Sequence, residues 1–394
     1  MTEMILMNIL PIRKRHVDNC FAKNIFRLAS TFRINFHNPG PTRKLNCIIT
    51  AILFSIGIYT IFYNIRITFS YKHKPAELAA QLLIVLWAIQ SLISGGFLIQ
   101  WQLNGDFKHF HEILATCQGL RGVQSEYGKR TMRLTNKFFI FHVCCICIIT
   151  LAFTLNFYLE SSHTTFIEKQ SYVFYYQELR PIYTLITTYL YIIWTMTLFV
   201  LILYTNATYL EVKYFNEKLE NFDGSDDSST CQQLIKYLEV YTNLCKVIRK
   251  LDLIFRLYTF IMIVITVPSM IFSLMMMNQR VHGLFDLILC MPTIAICSFS
   301  FFSVTVAPAR LHDEITRSRG CLCLNKSIWF PYRKEVYVVA NTITSHMEQL
   351  DLGVSVWGFA ILSRPLILGT LSATAMMLSL LMELAPKTDL LDLA

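Results

Sequence analysis

Six stretches of this chain run for about 20–30 residues without a charged side chain. They are Leu45–Ile65, Leu78–Gly105, Phe138–Leu159, Pro181–Leu210, Leu257–Gln279 and Leu287–Ala309. A seventh, Pro365–Met382, follows directly on Arg364. The hydrocarbon core of a bilayer takes about 20 apolar residues per helix. Backbone polar groups inside lipid must be satisfied within a helix or a closed barrel, and no stretch shows the two-residue alternation of a barrel strand. The expected fold is therefore all-α: a polytopic seven-transmembrane helical bundle. Composition agrees, because only 15% of residues are charged, against about 25% in soluble domains.

The basic residues give the bundle a direction. Before the first span there are eight Lys and Arg; the second, fourth and sixth connections hold six, seven and six. The alternate connections and the C-terminal tail hold seven in all. Lys and Arg collect on the cytoplasmic side of spanning helices, so the N-terminus is expected in the cytoplasm and the C-terminus outside. A G-protein-coupled receptor is the reverse. All twelve cysteines fall in expected spans or on the expected cytoplasmic side, away from the oxidising face where disulfides form. Cys144, Cys145 and Cys147 sit inside a span without a tetrahedral partner set and read as packing residues, so no metal site is expected. No signal peptide is expected, because the apolar run Met4–Leu10 is short and Arg13, Lys14 and Arg15 follow it. The net charge of +9 belongs to this sidedness; it implies membrane lipids as partners and no nucleic acid.

The basic connections are long and patterned. Asn221–Thr230 is polar and reads as a loop. Beyond it Leu234, Leu238, Val240, Leu244, Val247 and Leu251 follow a helical period, so the fourth and fifth spans should continue outside the membrane as long helices. In the sixth connection a helical piece follows Arg310, a break is expected between Gly320 and Pro331, and a second helix places Val336, Val339, Ile343 and Met347 on one face. Such apolar stripes require partners, either within one subunit or between subunits.

The last span raises a different question, since Arg364 and Pro365 stand at its start. Proline is favoured in the first turn of a helix and arginine can snorkel to the surface, so the membrane entry is placed at Arg364–Pro365. Within the span, Gly369, Thr370, Ser372, Thr374 and Ser379 are interleaved with Leu, Met and Ala. Small and hydroxylated residues serve close helix packing or line a water-filled path. Glu383, at the far end, would form a cation-selecting ring if several subunits met on an axis.

A cytoplasmic N-terminus, seven spans, long inner connections and a short outer tail resemble the insect gustatory and odorant receptor superfamily. The run Gly358-Phe359-x-Ile361-x-Ser363-Arg364-x-Leu366 is similar to the entry to the last helix of gustatory receptors. That family's signature there is Thr-Tyr, five hydrophobic residues, then Gln-Phe; this chain has Met376-Met377, Leu378–Met382, then Glu383-Leu384. All four signature positions differ, as in a divergent gustatory-receptor-like member. The resemblance implies a ligand-gated cation channel of the plasma membrane, acting in chemoreception as a homo- or heterotetramer. Its pore and gate would be formed by Glu383, Leu384, Ser379 and Met376. It also implies a chain divided into a cytoplasmic segment (1–44), helices one to six with their extensions (45–309), anchor-type helices (310–364), a pore-type helix (365–384) and an extracellular tail (385–394).

The resemblance further implies a small-molecule site in the outer half of the bundle, where Trp87, Gln90, Asn156, Phe157, Tyr189 and Trp194 supply aromatic walls and polar groups; the same residue types also serve ordinary packing and interfacial belts. The replaced signature leaves a second reading: a non-conducting, receptor-like seven-helix protein with an accessory or developmental role. A transporter is disfavoured by the absence of an internal repeat and of carboxylates inside the spans. No constellation of catalytic groups or cofactor motif stands out, so neither enzymatic activity nor a cofactor is expected.

Overall fold

The computed structural model describes residues 23–33, 41–69, 75–121, 126–159, 180–224, 227–280, 284–348 and 351–384. Its helices are α1 (Lys23–Thr31), α2 (Pro41–Thr68), α3 (Pro75–Leu103), α4 (Asp106–Arg121), α5 (Glu126–Leu159), α6 (Arg180–Glu220), α7 (Asp227–Arg280) and α8 (Leu284–Leu324). They are followed by a single turn, α9 (Lys326–Trp329), then α10 (Lys334–Met347), a two-stranded hairpin β1 (Ser355–Val356) and β2 (Ala360–Ile361), and α11 (Arg364–Leu384). Among the described residues seven helices are long and apolar enough to cross a membrane: α2, α3, α5, α6, α7, α8 and α11. Each carries one of the charge-free runs, that of α3 passing into the turn at Asn104–Gly105.

α7 has 54 residues. At 1.5 Å per residue it is about 80 Å long, against a hydrocarbon core of about 30 Å, so much of it projects beyond the bilayer. α6 and α8, at 41 residues each, overshoot in the same way. Pro268 lies inside α7, and Pro292 and Pro308 inside α8, without ending either helix.

α6 is the axis of the bundle, packed against α8, α3, α5 and α7. From Ile192 to Leu201 every side chain is buried. Such all-round burial explains why this span reads as a continuous apolar run without a polar face.

The extensions pack on one another within the chain. α4 is amphipathic, burying Phe107, Phe110, Leu114 and Cys117 at helical spacing. It docks through an aromatic cluster in which Trp101, Phe107, Tyr204, Phe255 and Tyr258 meet at centroid distances of 4.9–6.1 Å. His111 Nε2 lies 2.9 Å from Tyr204 Oη, and Lys250 Nζ donates to Asp106 Oδ1 at 2.7 Å.

At the tip of the base α6 is clamped to α8. Asn216 Nδ2 donates to Glu314 Oε1 (2.9 Å) and to its carbonyl (2.8 Å), and Ser318 Oγ donates to Asn216 Oδ1 (2.6 Å). Arg317 Nη2 reaches Glu220 Oε1 at 2.6 Å. α8 continues through Gly320 to Leu324, so the break comes at Asn325, whose side chain donates to the carbonyls of Leu219 and Phe222 and accepts from Ser327 N. α10 buries Val336, Ala340, Ile343 and Met347, with Val339 partly covered.

Between α10 and α11 lies the hairpin, in a region expected to be helical. Ser355 pairs with Ile361 and Val356 with Ala360, and the reversal passes through Trp357 (φ 52°) and Gly358 (φ 81°). The hairpin is tied to α7: Asp252 Oδ1 accepts from Ser355 N (2.6 Å) and Ser355 Oγ (2.7 Å), Thr259 Oγ1 donates to the Ser355 carbonyl (3.0 Å), and Trp357 N donates to the Arg256 carbonyl (3.1 Å).

Candidate functional site

Within the membrane-crossing layer a cleft opens between α5, α6 and α8. His142, Ile146 and Thr150 come from α5, Tyr191, Trp194, Thr195 and Leu198 from α6, and Ile296 and Phe299 from α8. The imidazole of His142 stacks on Phe299 with centroids 4.2 Å apart. The free volume between these groups is about 20 Å³, room for about one water-sized group. Trp194 is buried, and its Nε1–H finds no acceptor among the described residues. An unsatisfied buried donor costs about 1–3 kcal/mol, so this indole has a hydrogen bond to give to an acceptor that reaches it.

The residues expected to line a ligand site separate. Trp194 lines the cleft. Trp87 reaches it through Tyr191, at a centroid distance of 5.7 Å. Tyr189 points to the opposite side of α6, its ring 5.9 Å from Phe32 beyond α1. Gln90 holds helices together: its Nε2 donates to Ser300 Oγ (3.2 Å), Thr266 Oγ1 (3.3 Å) and Met262 Sδ (3.4 Å), linking α3 to α7 and α8. Asn156 and Phe157 lie on α5, with side chains outside the described residues. Thr150 and Phe299 were not singled out in the sequence, because a lone threonine or phenylalanine in a span carries no local signal.

α11 differs from every other spanning helix. Only 6% of its apolar window is buried, against 67% for α6. Thr374 is its one buried side chain among those described, and Met382 accepts a hydrogen bond from Asn278 of α7 at 3.6 Å. The helix starts at Arg364, which puts Pro365 in the first turn. Arg364 Nε donates to Asp313 Oδ2 of α8 at 2.6 Å, so this arginine has a carboxylate partner in addition to the surface expected for it. Ser372, Met376, Ser379 and Glu383 are all exposed, and their spacing of three and four places them on one face. Leu384 ends the helix with its side chain outside the described residues. Cys144 and Cys147 are exposed on α5 and Cys145 half-buried.

This architecture is shared with solved structures. The insect olfactory receptor OR5 from Machilis hrabei superposes with a TM-score of 0.63 at 11% identity, over 92% of this chain and 98% of that one. The same receptor in complex with eugenol gives 0.55 at 10% identity, over 93% and 99%. The chain is thus a multi-pass membrane protein with the fold of an insect olfactory receptor. It belongs to the family described as Caenorhabditis protein of unknown function, DUF267, whose model matches residues 28–337, ending inside α10 and ahead of α11. No curated protein matches it.

Proposed function

We propose that this protein is a subunit of a ligand-gated cation channel of the plasma membrane, acting as a chemoreceptor of gustatory-receptor-like type with its N-terminus in the cytoplasm. The observation that carries the reading is the exposure of α11. A helix facing lipid on all sides would not carry Ser372, Ser379 and Glu383 in one column, because a carboxylate and hydroxyls gain nothing from hydrocarbon. Four copies meeting around an axis would place that column on water, with Met376 between hydroxyl levels and Glu383 and Leu384 at the outer mouth. Arg364 and Pro365 then mark the inner entry.

The fold shared with a receptor that holds eugenol supports a small-molecule ligand. The cleft beside Trp194 is the corresponding candidate here: a small aromatic molecule with an oxygen would stack among Tyr191, Trp194 and Phe299 and accept from the indole N–H. At its present volume the cleft admits such a molecule only when one of those rings turns. The replaced pore signature, with Glu383-Leu384 at the end of α11, supports the second reading, a non-conducting accessory protein.

Expression in oocytes with a panel of small aromatic phenols and ethers separates the two. A ligand-evoked cation current that falls several-fold in Glu383→Gln, at equal surface delivery, is the expected result. Silence across the panel with normal surface delivery removes the channel reading.

A further inference from the structure

Outside the membrane-crossing layer, between the extensions of α6 and α7 and closed on one side by α4, lies a cavity of about 280 Å³. It is far larger than the membrane cleft and approaches the range of small-molecule pockets. Its lining is graded. The inner end holds Glu211, a carboxylate only 6% exposed, to which Gln118 Nε2 donates at 3.0 Å, beside the Cys117 thiol. The walls are apolar and aromatic, with Tyr214, Phe215 and Tyr237 facing Val240 and Leu244. Phe215 and Tyr237 pack edge to face at 5.9 Å, and Tyr237 Oη donates to the Lys218 carbonyl at 3.4 Å. At the rim stand Lys218 from α6 and Lys236 from α7, both exposed.

Neither rim lysine forms an ion pair among the described residues, and Lys218 Nζ rests 5.7 Å from the Tyr214 ring. Two cations contributed by different helices to one opening suit an anion held between them. The buried carboxylate at the other end suits N–H or O–H donors, since a carboxylate is acceptor-only and takes up to about four. A ligand that satisfies both ends carries its donors and its negative charge at opposite poles, with a flat or apolar body between. Fatty acids lack the inner donor. Free amino acids hold ammonium and carboxylate too close together to reach both ends.

We propose that this cavity is a binding site for a nucleoside phosphate, with the base between Tyr214 and Tyr237, its N–H edge on Glu211 and its phosphate on Lys218 and Lys236. The burial of Glu211 excludes water from that contact and strengthens it. Bases that present two adjacent N–H donors, as guanine does, fit a carboxylate best. The site stands whether or not the channel reading does, because it is built from one chain's own extensions.

The test is binding to the purified full chain in detergent, read by microscale thermophoresis with the four nucleoside 5′-monophosphates, the matching nucleosides and inorganic phosphate. At least one monophosphate should bind with sub-millimolar affinity, more than tenfold more tightly than its nucleoside or phosphate alone. Lys218→Ala/Lys236→Ala should weaken it at least tenfold, while Glu211→Gln should change which base is preferred. Size-exclusion profiles and melting temperatures of both variants confirm that they fold; if either does not, Tyr237→Ala and Lys236→Glu serve in its place. Binding of inorganic phosphate as tight as that of any nucleotide would reduce the site to an anion patch and overturn the proposal. So would no binding of any monophosphate at 1 mM, a millimolar limit on the order of 4 kcal/mol of affinity.

Discussion

Trp194 and Gln90 lie on neighbouring helices, and both carry N–H donors into the membrane layer. Gln90 spends its donors on three partners across α7 and α8. Each such bond inside a membrane contributes about 0.6 kcal/mol on average, and together they fix the register of α3. Trp194 lines the cleft, and its donor has no acceptor among the described residues. Trp194→Phe removes that group while leaving most of the ring, so folding should be preserved. For an oxygen-bearing ligand of this cleft, the lost hydrogen bond of about 0.5–1.5 kcal/mol should raise the half-maximal concentration about two- to tenfold, with little change for a hydrocarbon analogue. Equal shifts for both ligands would show that the indole supplies only shape. The sequence marked both residues, but their different uses depend on which helices face them. Cys117 gives a second residue-scale prediction. Burial, reinforced by the neighbouring Glu211 carboxylate, pushes its thiol up to about 12. The thiolate is the nucleophile, so at neutral pH Cys117 should alkylate at least tenfold more slowly than the exposed Cys323, measured by mass spectrometry after timed maleimide exposure. A comparable rate would mean that α4 lifts away from its neighbours.

At the scale of elements, the spans were legible because charge is excluded from lipid, and their extensions were legible because one apolar stripe continues past the membrane. α4 was not singled out: its stripe of Phe107, Phe110, Leu114 and Cys117 lies in a segment interrupted by Asp106, Lys108, His109, His111 and Glu112, and its partners are aromatic residues of α3, α6 and α7. The hairpin was hidden for a different reason. Its strands are two residues long, and what holds them is Asp252, about one hundred residues upstream. Hydrogen bonds to a charged acceptor contribute about 1.5–3 kcal/mol each when buried, and less where solvent reaches them, as it does here. Asp252→Ala should therefore lower stability by about 2 kcal/mol, seen as a reduced melting temperature and as protease cleavage at Trp357–Phe359. Asp252→Asn keeps an acceptor oxygen and should lose about half as much. An unchanged melting temperature and an intact hairpin in Asp252→Ala would show that Thr259 and the Arg256 carbonyl suffice.

For the whole molecule the sequence offers an expectation of the direction of insertion, through its asymmetric Lys and Arg. Among the described residues, Lys250 of α7 pairs with Asp106 of α4, Arg317 of α8 with Glu220 of α6, and Lys326 stands on α9, so positive-inside counting would put this packed base in the cytoplasm. A short epitope placed after residue 394 should accordingly be reached by antibody on intact cells. Staining only after permeabilisation would reverse the orientation, and with it the assignment of Glu383 to the outer mouth. The candidate cleft was less legible, since its walls come from α5, α6 and α8 and no single segment shows them together. The way the base is joined to α11 has a mechanical meaning. Because Ser355 and Trp357 are pinned to three consecutive turns of α7, and Arg364 to Asp313 of α8, a tilt of either long helix must swing the foot of α11 with it. The hairpin is a fulcrum, converting rocking of the central shafts into displacement of the one rod that stands apart from them.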